Sequence, residues 1–142
     1  MSGQDEGAGR LAERLIEAGD AYLETYELDE AEQRYLQALR VLPKKGYEEQ
    51  TAWAQAALGD CSFLKNDYKA ALRLYSRVLA MEEGYAGAYA LLRSGQAHYE
   101  EGNMAQAKDC LLQAYLIEGA SLFEGEDRKY YELIEGEEGY LD

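Results

Sequence analysis

Apolar residues recur at three- and four-residue steps through most of the chain, with polar residues between them. In residues 52–83 this spacing describes two successive amphipathic helices joined by a short polar turn at residues 65–67. One apolar stripe contains Trp53 and Leu58, and the other contains Tyr75. Because two short helices bury their stripes only by facing each other, the pattern predicts an antiparallel helical hairpin.

The hairpin pattern occurs three times along the chain, at steps of 40 and 36 residues. Each copy carries a glycine in its first helix and an alanine twelve residues later. These pairs are Gly19 and Ala31, Gly59 and Ala71, and Gly95 and Ala107. A residue without a Cβ atom lets a partner helix approach, so each glycine predicts a close helix crossing. A helical repeat of this length is typical of hairpins that stack to build a continuous core.

The repeated residues resemble the tetratricopeptide repeat (TPR) family over about residues 12–118. The resemblance rests on the packing glycines, the small alanines, the aromatic residues Tyr35 and Tyr75, and the helix breaker Pro43. Leu111 departs from it, because it replaces the aromatic residue in the third copy. The resemblance implies an all-α fold of three antiparallel helical hairpins, stacked as a short right-handed solenoid and closed by a C-terminal capping helix.

We therefore expect one domain. Its predicted segments are repeats at about residues 12–45, 47–83 and 86–118, a cap at about 120–135, and disordered termini at about 1–8 and 136–142.

Charge is the strongest compositional feature: the chain has 28 acidic and 14 basic residues. Nine acidic and two basic residues lie from Glu118 onward. Such a surface repels nucleic acid and anionic membranes and favours a basic protein partner. The alternative is that the acids only keep a tyrosine-rich protein in solution. The candidate acidic face for partner binding consists of Glu118, Glu124, Glu126, Asp127, Glu132 and Glu135.

The sequence contains no apolar run near the roughly 20 residues of a membrane span, and its polar, acidic start does not resemble a targeting peptide. We expect a soluble, cytoplasmic protein. Cys61 and Cys110 lie on apolar helix stripes, which predicts buried, reduced thiols. No cofactor or metal site is expected.

Motifs for catalysis are missing from the sequence. It has no glycine-rich phosphate loop, no HExxH and no GxSxG, and its single histidine, His98, falls on an apolar stripe. We expect a packed, hydrogen-bonded imidazole there and a protein that is not an enzyme.

By the TPR resemblance, the first helix of each hairpin lines a concave groove. The groove residues that we expect to bind a partner are Asp20, Glu24, Trp53, Asp60, Phe63, Tyr89, Gln96, Tyr99 and Glu100. Some TPR proteins grip the C-terminal carboxylate of heat-shock chaperones with basic and amide side chains. Here Ile16, Asp20, Ala57 and Tyr89 stand at those places and only Arg93 fits, so that role is not expected.

A second resemblance covers about residues 91–134. The segments Leu92–Gln96, Ala114–Gly119 and Phe123–Tyr130 resemble small acidic bacterial TPR proteins thought to neutralise secreted toxins as immunity proteins. This resemblance implies a non-catalytic protein that binds a basic toxin domain. Two alternatives remain open: an adaptor or secretion chaperone that binds an extended peptide in the groove, and a scaffold subunit of an enzyme complex.

Overall fold

The structure of the chain is a computed structural model that describes residues 3–137. Within these residues it contains seven α-helices, one short 3₁₀ helix and no strand, as the all-α prediction requires. The elements in chain order are α1 (Gly3–Glu24), α2 (Leu28–Val41), α3 (Glu48–Leu64), α4 (Tyr68–Leu79), α5 (Gly87–Glu100), α6 (Met104–Glu118), the 3₁₀ helix Ala120–Phe123, and α7 (Arg128–Glu135).

The chain divides into two compact units, at residues 1–86 and 87–142. The first unit contains the hairpins α1–α2 and α3–α4, and α2 packs against α3. The second contains the hairpin α5–α6, with the 3₁₀ helix and α7 packed against it. The predicted three hairpins and C-terminal helix are therefore confirmed.

Every hairpin turns through the same backbone conformation. Tyr26, Asn66 and Gly102 take equivalent positions with φ angles of 62°, 63° and 83°. The following amide then donates to a carbonyl of the first helix, closing that helix at its C-terminal end. These bonds are Glu27 N to Tyr22 O (2.9 Å), Asp67 N to Ser62 O (2.9 Å) and Asn103 N to His98 O (2.8 Å).

The predicted close crossings at the three glycines are confirmed. A Cβ atom placed on Gly59 would lie 2.6 Å from Cε1 of Tyr75, which is nearer than real Cβ atoms approach a neighbour. Gly19 has the same relation to Tyr35, at 2.7 Å. In the third hairpin Leu111 takes the place of the ring, and its Cγ would lie 2.6 Å from a Cβ on Gly95.

The two hairpins of the first unit share an apolar cluster that includes Tyr35, Leu58 and Cys61. A polar contact joins the same hairpins at the surface: Lys65, which follows α3, lies 2.6 Å from Asp29 and 3.3 Å from Glu32 of α2. The hydrogen bond to Asp29 raises the pKa of Lys65. Stacking in this unit therefore combines buried apolar area with one ion-pair cluster.

The prediction of disorder at residues 1–8 is wrong for residues 3–8, because α1 begins at Gly3. Residues 1 and 2 lie outside the described residues. Asp5 and Glu6 lie in its first turn, where negative charge is favourable beside the helix dipole. Gly9 is buried against the ring of Tyr47, which anchors these early turns. An apolar stripe did not predict this packing, because a glycine provides the contact.

The C-terminal end also differs from the prediction. Residues 136 and 137 form a turn, in which Glu137 N donates to Ile134 O at 2.9 Å. The carboxylate of Glu137 pairs with Lys108 of α6, so these two residues are held in place. The rest of the segment predicted to be disordered, residues 138–142, lies outside the described residues.

The cap buries apolar residues of the second unit. Phe123 of the 3₁₀ helix and Tyr130 and Ile134 of α7 form one cluster with Leu92 and Leu111 of the hairpin. Asp127 accepts a hydrogen bond from Lys129 N at 3.0 Å and so closes the N-terminus of α7. The cap is thus part of the core of this unit.

Replacing Gly59 with alanine tests the crossing. We expect Gly59→Ala to lower the free energy of unfolding by about 1–3 kcal/mol, because the buried ring of Tyr75 leaves no room for a methyl group. Gly87→Ala is the matched control, since a Cβ atom there has no neighbour within 4 Å. Denaturant unfolding of both variants is the measurement, and a Gly59→Ala protein as stable as the wild type would contradict the crossing.

Candidate functional site

A cleft of about 300 Å³ lies between α1 and α3 in the first unit. Its lining combines acidic, amide and apolar side chains. The lining residues are Glu13, Ile16 and Glu17 of α1 and Glu49, Gln50 and Trp53 of α3.

Helical spacing brings these residues together. Ile16 and Glu17 lie three and four residues after Glu13, so all three are near one face of α1, and Glu49 lies one turn before Trp53 on α3. The side chain of Trp53 is 44% exposed although it lines the cleft. In the part of the chain that the structure describes, no basic group lies within ion-pair distance of the three carboxylates.

Trp53 was predicted as a groove residue, and the structure places it in a concave surface. Glu17, Glu49 and Gln50 were missed. The signal that could have found Glu49 is its position one turn before Trp53, once α3 is recognised to begin at Glu48.

The predicted groove residues Asp20 and Asp60 make the same contact in their hairpins. Tyr35 Oη donates to Asp20 Oδ1 and Tyr75 Oη donates to Asp60 Oδ1, each at 2.5 Å. Burial raises the pKa of Tyr35 well above its usual value, and the hydrogen bond to Asp20 raises it further. Each aspartate directly follows a packing glycine, so its carboxylate orients the ring that lies against that glycine.

The other two predicted groove residues of the first unit lie near the hairpin turns. Glu24 is exposed at the end of α1. Phe63 is half-buried and meets the ring of Tyr68 edge to face, with centroids 5.2 Å apart. Neither residue lines the cleft that contains Trp53.

In the third hairpin the predicted groove residue Gln96 is fully buried. It accepts from Arg93 Nη1 at 2.9 Å and donates from Nε2 to Glu126 Oε1 at 2.8 Å. Arg93 Nη1 also lies 3.5 Å from that oxygen of Glu126. Gln96 and Arg93 of α5 therefore hold the segment before α7, and sequence reasoning missed this network because Glu126 is 30 residues away from Gln96.

A second set of contacts joins α5 to α7. Glu100 accepts from Tyr130 Oη at 2.9 Å and pairs with Lys129 Nζ at 3.0 Å. The rings of Tyr99 and Tyr130 meet edge to face at 5.3 Å, and Lys129 lies 5.3 Å from the Tyr99 centroid. The hydrogen bond to Glu100 raises the pKa of Lys129. Tyr99 and Glu100, both predicted to bind a partner, thus contact the cap.

Tyr89 is half-buried at the start of α5. Its hydroxyl accepts from Arg93 Nε at 3.0 Å, and the guanidinium lies 5.3 Å from the ring centroid. Arg93 therefore joins Tyr89 to the contact with Glu126.

The six predicted residues of the acidic face have different environments. Glu118, Glu124 and Glu135 are exposed. Glu126 is half-buried in the network with Gln96, and Asp127 caps α7. Glu132 forms a surface pair with Arg128 at 3.6 Å, a kind of contact that contributes little to stability. A shallow cleft of about 190 Å³ beside Phe123 and Tyr131 brings Glu124, Glu126 and Asp127 together.

The remaining candidate groups are the two cysteines and the single histidine. Cys61 is buried and Cys110 half-buried, and neither forms a disulfide bond. Burial raises the pKa of Cys61 to about 12. Nδ1 of His98 is buried without a hydrogen-bond partner among residues 3–137, so the expected hydrogen bond is not made at that nitrogen. Those residues contain no group of three or more His, Cys, Asp or Glu side chains arranged to hold a metal ion. None of the helices described is long and apolar enough to span a membrane.

Known proteins resemble this chain in its repeat and in its fold. Residues 62–118 match the model of the tetratricopeptide repeat. The structure is similar to the C-terminal TPR-containing domain of a putative FK506-binding protein of Plasmodium falciparum, with a TM-score of 0.73, 22% sequence identity, and coverage of 96% of this chain and 93% of that chain. At this identity the likeness shows the fold alone. No curated protein matches the chain.

A matched pair of substitutions tests the contacts of the cap. We expect Glu126→Ala to lower the free energy of unfolding by about 1–3 kcal/mol, because it leaves the buried amide of Gln96 without its acceptor. Glu124→Ala removes the same charge from an exposed position, and we expect a change within about 0.5 kcal/mol. Denaturant unfolding measures the free energy of unfolding of both variants. Equal stabilities would show that the contacts of Gln96 with Glu126 do not hold the cap.

Proposed function

Because the chain belongs to the tetratricopeptide repeat family, we propose that it is a non-catalytic protein-binding module that binds and neutralises a basic toxin domain, as a bacterial immunity protein. TPR folds are protein-interaction modules, and the immunity role is the more specific part of the proposal. The observation that carries it is the combination of a net charge of −14 with an open cleft of carboxylates around Trp53.

Charge supports a basic partner. The exposed acids Glu118, Glu124 and Glu135 lie on the second unit, and the cleft of the first unit carries three more carboxylates. A field of one sign attracts an oppositely charged protein and speeds its encounter. Toxins that act on nucleic acid present basic surfaces to their substrate, so an acidic protein can cover the same surface.

The predicted groove favours a basic partner over the C-terminal carboxylate of a chaperone. Asp20 lies where a carboxylate-binding TPR protein would need a basic or amide side chain, and Asp60 is the corresponding residue after the packing glycine of the second hairpin. Both remain acidic acceptors for tyrosine hydroxyls. An incoming carboxylate would be repelled, which works against that class of peptide. For an immunity protein we expect residence in the cytoplasm, where it would meet an incoming toxin.

Binding to the product of the neighbouring gene tests the proposal. We expect the purified protein to form a complex with that product as a folded domain, and co-expression to relieve its toxicity. Overlapping 15-residue peptides of the same product are the control, and calorimetry is the measurement. Tight binding of one peptide would instead identify an extended-peptide adaptor, and no binding of either form would contradict the immunity role.

The acidic face makes a kinetic prediction. If it steers the partner, the association rate constant should fall about tenfold or more between low and high salt. Replacing Glu118, Glu124 and Glu135 with glutamine should slow association more than it speeds dissociation, because exposed charges at the edge of an interface act on the encounter. Stopped-flow kinetics is the measurement. These three acids suit the test because none of them takes part in the contacts of Gln96, Arg93 and Glu126 that hold the cap. An association rate constant that does not depend on salt would exclude steering.

A further inference from the structure

We propose that the cleft between α1 and α3 binds an arginine side chain of the partner protein. The inference rests on the proposed function, since it names the part of a basic partner that this chain recognises. It concerns six residues of the first unit: Glu13, Ile16, Glu17, Glu49, Gln50 and Trp53.

The size of the cleft limits its occupant. At about 300 Å³ it lies at the lower end of the volumes of ligand sites, roughly 300–1,000 Å³. One long side chain fits a space of this size. Ile16 offers an apolar surface to the methylene groups of such a side chain.

The lining fits a guanidinium group. Tryptophan is the best aromatic partner for a cation, and a planar guanidinium can stack on its ring while donating to carboxylates at its edge. Here Trp53 and Glu49 lie on α3, with Glu13 and Glu17 on the facing helix. A cation entering the cleft would therefore meet carboxylates from both helices and a partly exposed ring.

Charge excludes the other occupants. A metal ion needs closely grouped ligands, and residues 3–137 contain no group of three or more His, Cys, Asp or Glu side chains that could hold one. A second copy of this chain carries the same net charge of −14 and is repelled. An anionic peptide or phosphate would meet three carboxylates.

Trp53 makes the proposal directly testable, because it is the single tryptophan of the chain and its indole N–H gives one resonance. The experiment is a ¹⁵N NMR titration of the full chain with the peptide acetyl-Gly-Arg-Gly-amide. The matched control peptide carries citrulline, which keeps the shape of arginine and removes its charge. We expect the arginine peptide to shift the indole resonance in a saturable way, and the citrulline peptide to bind at least about threefold more weakly, because the carboxylates of the cleft are exposed.

Two variants of equal net charge locate the binding. The cleft variant carries Glu13→Gln, Glu17→Gln and Glu49→Gln, and the control variant carries Glu30→Gln, Glu82→Gln and Glu83→Gln at exposed positions that do not line the cleft. We expect the shift to be lost in the cleft variant and kept in the control variant, with circular dichroism checking that both fold. If the cleft variant does not fold, the comparison of the two peptides on the wild-type protein still tests whether the cleft recognises the charge of arginine.

An equal response to the two peptides, no saturable response to either, or an unchanged response of a folded cleft variant would overturn the proposal. The titration uses no partner protein, so these results concern the cleft alone. Failure of the immunity role would appear separately, as absent binding to the neighbouring gene's product.

Discussion

In the first two hairpins a buried tyrosine ring lies directly against the backbone of a glycine on the facing helix. No residue with a side chain fits at that glycine without displacing the ring. The aspartate that follows the glycine accepts the tyrosine hydroxyl, through Asp20 in one hairpin and Asp60 in the other. Glycine and aspartate on one helix and tyrosine on the next thus fix both the distance between the helices and the orientation of the ring.

The third hairpin shows what happens when this arrangement changes. Leu111 fills the space against Gly95 but has no hydroxyl to donate, and Gln96 stands in the place of the aspartate. The buried amide of Gln96 is satisfied by Arg93 and Glu126 instead. The substitution therefore links α5 to the segment that leads into the cap, and Glu100 adds a second link through Tyr130. Within this unit, side chains expected to meet a partner support the last helix.

Much of the fold could be predicted from the sequence because it depends on local periodicity and on repeated small residues. The three hairpins, their turns and the glycine crossings follow from spacing alone. The early start of α1 could not be predicted, because Gly9 and the ring of Tyr47 make the contact and neither belongs to an apolar stripe. The fixed turn at residues 136 and 137 was also missed, because it depends on a side chain of α6, Lys108.

The candidate site was less predictable than the fold. Trp53 was predicted because the TPR resemblance places the first helix of each hairpin at the groove. Glu17 and Glu49 became relevant only when the packing of α1 beside α3 placed them together. Gln96, Tyr99 and Glu126 were assigned to binding surfaces, although their contacts join α5 to the cap region. Helical periodicity identifies the face on which a residue lies but not which element covers that face.

We propose that α1 and α3, the first helices of the two hairpins in the first unit, recognise the protein partner. Hydrogen–deuterium exchange of the chain with and without the product of the neighbouring gene tests it most directly, since exchange reports on each helix separately. We expect slower exchange in peptides that contain residues 10–20 and 47–56 when the complex forms. Protection confined to residues 118–137, with α1 and α3 unchanged, would contradict it.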